Sequence, residues 1–141
     1  MVAESKTTAS KTFLGHIYTP VEKGSNLDLP EGFLSVDENG KISAVGERKD
    51  FLPGADEQVV DLGKSLLLPG FVDMHIHLPQ VAQTGRSGEH LLAWLEKYIF
   101  PAEMKFEDVD FAEKLSYWFF DELLRNGTTT ACVFTAIHKN S

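Results

Sequence analysis

The sequence predicts an α/β protein in which a small antiparallel sheet precedes a parallel strand–helix–strand unit. From Thr12 to Asp61, short apolar runs alternate with turn residues, a pattern typical of small antiparallel sheets. After residue 65 an apolar strand, two helical patterns and a β-branched strand follow in order. That order predicts parallel strands joined by a right-handed crossover, the repeating unit of an α/β barrel or open sheet. We therefore expect two parts, residues 1–65 and residues 66–141.

A hairpin is the clearest local element of the first part. Strand-like runs at residues 33–36 and 41–45 flank the segment Asp37-Glu38-Asn39-Gly40. Asn-Gly is expected to supply the positive φ angles of a tight turn. A further strand is expected from Thr12 to Tyr18. Three prolines are expected between strands, where a missing N–H does no harm: Pro20, Pro30 and Pro53.

The second part is expected to begin with one strand from Leu66 to His77. Because strand side chains alternate, one face is apolar, with Val72, Met74 and Ile76. The other face carries Phe71, Asp73, His75 and His77. Buried parallel strands usually carry apolar side chains on both faces, so this polar face needs a reason beyond packing.

Two helices and a closing strand are expected next. The first helix has apolar residues at three- and four-residue spacing and should end before Pro101; these residues are Leu91, Leu92, Trp94, Leu95 and Tyr98. The second should begin with a capping box of Asp110 and Glu113 and end at Asn126-Gly127. Its apolar face comprises Phe111, Leu115, Trp118, Phe119 and Leu123. Thr128 to Phe134 then reads as a strand.

Composition limits the classes of partner. The 141 residues are 43% apolar and 24% charged, which suffices for a folded core. A formal charge of -8 disfavours nucleic acid and anionic lipid, so neither partner is expected. The single cysteine, Cys132, excludes an internal disulfide and a thiolate-rich zinc site, and a reducing cytoplasm fits best. The opening segment Met1 to Lys11 lacks the apolar core of a secretion signal.

His75 and His77 are the candidate metal ligands. Two apart on a strand, they project the same way with backbones about 7 Å apart, so both imidazoles can meet one ion. They also fall at the carboxyl end of the strand, where α/β barrels hold their active groups. The alternative is a pair of hydrogen-bonded, partly buried histidines. Asp73 either orients one imidazole or caps the strand end, and both readings stay open.

The remaining histidines, which lack such placement, are His16, His90 and His138. His138 nevertheless follows the last strand and can approach the pocket. Catalytic zinc normally takes three protein ligands and a water, so two histidines form part of a site. A nucleobase-editing zinc deaminase would need a Pro-Cys-x-x-Cys segment, which one cysteine excludes.

The segment from Leu68 to His77, Leu-Pro-Gly-Phe-Val-Asp-Met-His-Ile-His, resembles the amidohydrolase superfamily, whose first barrel strand carries a metal-binding His-x-His pair. Residues 75–80, 88–103 and 125–131 are similar to guanine deaminases, particularly bacterial ones. The resemblance implies the amino-terminal part of a metal-dependent (β/α)8 barrel, from residue 66, and part of a small flanking β-sandwich.

The resemblance also implies a reaction, the hydrolysis of guanine to xanthine and ammonia, with one zinc ion. His75 and His77 would be metal ligands, Gln80 would hydrogen-bond to the purine, and Trp94 would line the pocket. The other reading of Gln80 is an ordinary loop glutamine, and that of Trp94 is a core residue.

The family's other ligands and its catalytic glutamate come from later strands, so no catalytic residue is expected in this segment. Two of eight barrel strands imply a cleaved, split or truncated chain, or one half of a two-chain assembly, inactive alone. The expected partner is the rest of the barrel, in the same or another chain, and a homodimer stays open. Two alternatives remain: an amidohydrolase acting on another aminated or chlorinated heterocycle, and a non-catalytic interaction fragment.

Overall fold

The computed structural model describes residues 10–88 and 90–139. Most of the opening polar segment, residues 1–9, lies outside the described residues. The chain divides between Pro69 and Gly70 into two compact units. Each unit is described by itself.

The first unit is a four-stranded sheet. Its strands are β1 (Lys11–Glu22), β2 (Ser25–Val36), β3 (Ile42–Glu47) and β4 (Gln58–Leu67). They lie in the order β3-β2-β1-β4. The β1–β2 and β2–β3 pairs are antiparallel, as predicted, whereas β4 pairs parallel to β1. A short 3-10 turn, Arg48–Asp50, begins the connection from β3 to β4.

The expectation of one strand from Leu66 to His77 is wrong. Leu66 and Leu67 complete β4 by pairing with β1, and the next strand begins only at Phe71. Pro69 lies in the break between them, where it need not donate an N–H to a ladder.

The placement of the prolines is also corrected in part. Pro20 lies within β1 and Pro30 within β2, whereas Pro53 lies between strands as expected. Pro20 lies beyond the last β1 residue that pairs with β4 and next to an irregularity in the β1–β2 register. Pro30 falls in a bulge opposite β1, the position in a sheet that tolerates proline.

The predicted hairpin is confirmed, with a different turn. Val36 pairs with Ile42 across it, and Gly40 has a φ of 75°. Positive φ is confined to glycines among the described residues, so Asn39 does not share that role. The turn is held instead by the Asp37 carboxylate, which accepts the backbone N–H groups of Asn39 and Lys41 at 2.9 Å each.

The second unit contains two parallel strands, β5 (Phe71–His77) and β6 (Thr128–Phe134). Between them lie α1 (Leu91–Trp94), α2 (Phe100–Met104) and α3 (Val109–Arg125). The strand–helix–strand order and the bounds of β6 agree with the prediction. No helix within residues 10–88 and 90–139 is long and apolar enough to cross a membrane.

The first predicted helix does not end before Pro101. Residues 95–99 form a π-helical turn between α1 and α2, and Pro101 lies at the start of α2. Proline lacks an N–H and clashes with the carbonyl four residues earlier, and a widened turn at that point accommodates both effects. The side chains buried by this segment are Ile99 and Ala102, whereas Leu91 and Leu92 are exposed.

The N-cap of the long helix α3 lies two residues earlier than predicted. Asp108, not Asp110, is the N-cap, and its carboxylate accepts the backbone N–H groups of Asp110 and Phe111 at 3.0 and 3.2 Å. The predicted stop is confirmed, because Asn126 caps the helix and Gly127 has a φ of 83°. Trp118, placed on the apolar face by the sequence, is half exposed.

A small core joins α3 to the end of β5. Its buried members are Leu78, Phe106, Ala112 and Phe119. Leu78 directly follows His77 and begins the 3-10 turn Leu78–Gln83. Because Leu78 is only 3% exposed, burial of this residue fixes the point at which the histidine strand ends.

Candidate functional site

The two histidine rings of β5 converge. The Nε2 atoms of His75 and His77 lie 3.0 Å apart, and the ring centroids are 5.0 Å apart. Both side chains leave the same face of the strand because two residues separate them. Two ring nitrogens this close need a proton or a cation between them, since two lone pairs would repel.

The donor pair fits one zinc ion. Two nitrogens bound at about 2.0–2.1 Å with a tetrahedral angle would lie about 3.3 Å apart. The observed 3.0 Å is close to that value. Within the described part of the chain, no group of three or more His, Cys, Asp or Glu side chains could hold a metal. The histidine pair by itself offers two nitrogen donors, fewer than the three protein ligands that catalytic zinc normally takes.

Phe134, at the end of β6, packs against both histidines. Its ring centroid lies 4.6 Å from that of His75 and 4.9 Å from that of His77. Phe134 pairs with His77 in the parallel register, so the two strand ends bring these rings together. No sequence motif points to Phe134. Aligning the last residues of the two predicted strands would have found it.

Asp73 acts on the backbone rather than on a ring. Its Oδ1 accepts the backbone N–H of His75 at 3.0 Å. The register between β5 and β6 shifts between Asp73 and Ile76, so one additional β5 residue is accommodated there. A bulge leaves a backbone N–H outside the ladder, and the carboxylate satisfies it.

Gln80 and the histidine pair line one cavity of about 370 Å³. Gln80 follows β5 on the 3-10 turn, and its Nε2 donates to Oε1 of Glu103 at 3.4 Å. The wall also includes Arg86, Trp94 and Phe119. The geometry thus brings together the four site residues named from the sequence: His75, His77, Gln80 and Trp94.

Trp94 forms part of the cavity wall and anchors the loop before it. The indole Nε1–H donates to the carbonyl oxygen of Arg86 at 2.9 Å. The Trp94 side chain is half buried, so it is neither fully packed in a core nor fully exposed to solvent. Because the indole N–H is engaged, the face of the indole ring is the part of Trp94 that can contact a ligand in the cavity.

The other three histidines lie elsewhere among the described residues. His16, on β1, pairs through Nε2 with Oδ1 of Asp28 at 2.7 Å. His90 is exposed and precedes α1. His138, half buried after β6, is not among the residues that line the cavity.

The first unit has a cavity of different chemistry. It measures about 460 Å³ and is lined almost entirely by apolar side chains of the sheet. Thr19 provides the one side chain of its lining that carries a polar atom. This composition offers neither acid–base nor metal chemistry. The cavity of the second unit is the candidate site because two converging ring nitrogens line it.

Comparison with known proteins identifies the family of the chain. The Amidohydrolase family profile matches residues 66–140. Guanine deaminase of Escherichia coli is 43% identical over 128 residues, which are 89% of this chain and 29% of that protein. The chain therefore spans less than a third of the length of this curated relative.

Two solved structures share the fold. The E. coli guanine deaminase structure has a TM-score of 0.82 at 37% identity, covering 91% of this chain and 32% of that one. A guanine deaminase from C. acetobutylicum, solved with guanine bound in its active site, has a TM-score of 0.79 at 30% identity, covering 93% and 31%. The architecture is that of an amino-terminal part of a (β/α)8 barrel with part of its β-sandwich. The chain belongs to the amidohydrolase family.

Proposed function

We propose that this chain supplies the first strands and part of the zinc site of a guanine deaminase, which hydrolyses guanine to xanthine and ammonia. The observation that carries the proposal is the convergence of His75 and His77 in the cavity that Gln80 also lines. The names of the E. coli and C. acetobutylicum relatives support the choice of substrate. The sandwich and barrel parts, expected as residues 1–65 and 66–141, would divide a few residues later, between Pro69 and Gly70, because Leu66 and Leu67 complete β4. The exposed thiol of Cys132 fits a reducing cytoplasm.

His75 and His77 would hold one zinc ion through their Nε2 atoms, each ring in its neutral form. Bound zinc would supply a nucleophile by making water acidic enough to react at neutral pH. Phe134 packs against both imidazole rings. The ring of Phe134 also limits the orientations of the two imidazoles, which preserves their convergence.

Gln80 would bind the purine through its side-chain amide, which both donates and accepts hydrogen bonds. Trp94 would provide an apolar wall, since its N–H is engaged by Arg86. The described residues that line the cavity include no carboxylate. The remaining metal ligands and the group that moves protons would come from the rest of the barrel, in the same or another polypeptide.

The direct test is a metal analysis of the assembled barrel together with an assay of ammonia and xanthine formed from guanine. We expect about one zinc per site. His75→Ala and His77→Ala should each lose zinc and turnover, whereas the control His90→Ala should keep both. Full zinc occupancy and unchanged turnover in both site variants would refute the proposal.

The role of Gln80 is tested separately. Gln80→Ala removes one or two hydrogen bonds to the purine, so kcat/KM for guanine should fall about tenfold, the equivalent of about 1.4 kcal/mol. Zinc content should not change. Gln58→Ala, a glutamine of the other unit, is the matched control. Unchanged guanine kinetics in Gln80→Ala would refute the purine-binding role of Gln80. An assembled barrel that releases no ammonia from guanine would instead favour another aminated or chlorinated heterocycle, which a substrate panel would identify.

A further inference from the structure

We propose that Glu103 is a positioning residue that determines which way round the Gln80 amide faces its ligand. The inference rests on the proposed function, because the ligand is the purine. The structural basis is the hydrogen bond from Gln80 Nε2 to Glu103 Oε1, 3.4 Å long and partly buried. No sequence motif assigns a role to Glu103.

The chemistry of the pair allows one orientation. An ionised carboxylate only accepts hydrogen bonds, so the nitrogen of the Gln80 amide must face it. The reversed amide would set its oxygen against the carboxylate, and two acceptors repel. With one N–H given to Glu103, the amide keeps one N–H and its oxygen for a ligand.

Glu103 is held where it can act. Ile99 and Ala102 on one side and Phe106 on the other are buried, at 1%, 6% and 1% exposure. These anchors fix the backbone of α2, so the carboxylate approaches Gln80 from a constant direction. Among the described residues, the ion pairs of the structure do not involve Glu103. Its carboxylate is therefore available to the amide.

Fixing the amide matters for selectivity. A reversed amide offers the same donor and acceptor in the opposite order, so a purine edge that matches one order mismatches the other. A site that leaves polar groups unpaired rejects its ligand strongly. Glu103 would thus contribute to recognition of guanine without touching it.

The kinetic test compares two substitutions of Glu103 in the assembled barrel. Glu103→Met keeps the length of the side chain and removes the acceptor, so KM for guanine should rise about tenfold with kcat changed less than about twofold. Glu103→Gln retains an oxygen that can accept but also brings N–H groups that allow the reversed Gln80 amide, so KM should rise only about two- to threefold. Glu96→Met, an exposed glutamate of the preceding turn, is the matched control and should have no effect.

A double-mutant cycle tests whether Glu103 acts through Gln80. In a Gln80→Ala background, Glu103→Met should cause no further loss. Additive losses would overturn the positioning role, as would an equal rise in KM for Glu96→Met.

A measurement independent of turnover separates this inference from the proposed substrate. In NMR spectra of the full chain, the side-chain amide protons of Gln80 should shift in Glu103→Met and return toward wild type in Glu103→Gln. If these signals respond but guanine releases no ammonia, the substrate is wrong and the positioning role stands. If guanine is consumed and the signals ignore Glu103→Met, the positioning role is wrong.

Discussion

Replacing Phe106 by alanine should lower the free energy of unfolding of the second unit, because the Phe106 ring fills the core that lies at the end of β5. Phe106 is 1% exposed and packs with Leu78 and Phe119. An aromatic side chain buries about 150 Å² or more, which at about 25 cal/mol per Å² is about 4 kcal/mol. The edge-on contact with Phe111, at 5.6 Å between centroids, adds about 1 kcal/mol. The expected loss in the free energy of unfolding is therefore about 3–5 kcal/mol, the usual range for buried phenylalanine.

Urea unfolding monitored by tryptophan fluorescence measures this loss. Both tryptophans, Trp94 and Trp118, belong to the second unit, so the signal reports on that unit. Phe100→Ala is the matched control, because Phe100 lies on the neighbouring helix and is 50% exposed; it should cost less than about 1.5 kcal/mol. If Phe106→Ala cost no more than Phe100→Ala, the reasoning that a core at Leu78 sets the end of the histidine strand would be refuted.

Two further predictions concern single carboxylates. Backbone N–H donation from Gly54, followed by the hydroxyl of Thr12, lowers the pKa of Glu57 below its usual 4.5, so the Glu57 carboxylate stabilises the fold above pH 4.5 and its contribution is lost as pH falls below that value. Glu57→Gln should therefore flatten the decline of the urea midpoint between pH about 5 and about 3, as followed by circular dichroism. An unchanged slope would contradict this. Asp73→Ala removes the acceptor of the His75 backbone N–H and should weaken zinc binding to the assembled barrel about 10- to 100-fold. Asp73→Asn keeps an oxygen and should bind zinc nearly as well; chelator competition measures both, and equal affinities for Asp73→Ala and wild type would be the contrary result.

The parts of the fold that depend on local rules were predictable. The strand Thr128–Phe134 and the stop at Gly127 follow from β-branched residues and from the positive φ that glycine adopts. The start of α3 was misplaced because Asp108 and Asp110 are both good caps, and only the backbone geometry chooses between them.

The parts that depend on distant contacts were not predictable. Leu66 and Leu67 look like the beginning of the histidine strand, yet they pair with β1, some fifty residues earlier in the chain. Local pattern carries no information about that pairing, because an apolar run fits either partner. Pro101 likewise predicts a helix end, whereas the π turn before it lets the helix continue.

The candidate site likewise has features that local sequence predicts and features that it does not. The approach of His75 to His77 needs only the two-residue period of a strand, so the sequence predicted it. The contacts of Phe134 and Glu103 need the parallel register and the packing of α2, which no short motif encodes.

The π turn at residues 95–99 has a rotational consequence for the cavity. Trp94 and Glu103 are nine positions apart, and at about 3.6 residues per turn a regular helix would direct them to opposite sides. One additional residue in the π turn rotates the helix after it by about 100° about the helix axis. The side chains of Trp94 and Glu103 then lie within about 80° of each other around that axis. Trp94 and Glu103 accordingly both reach the neighbourhood of Gln80. The length of this helical segment thus sets the direction of the Glu103 carboxylate, and deleting one residue there would turn the carboxylate away while every side chain of the cavity kept its identity.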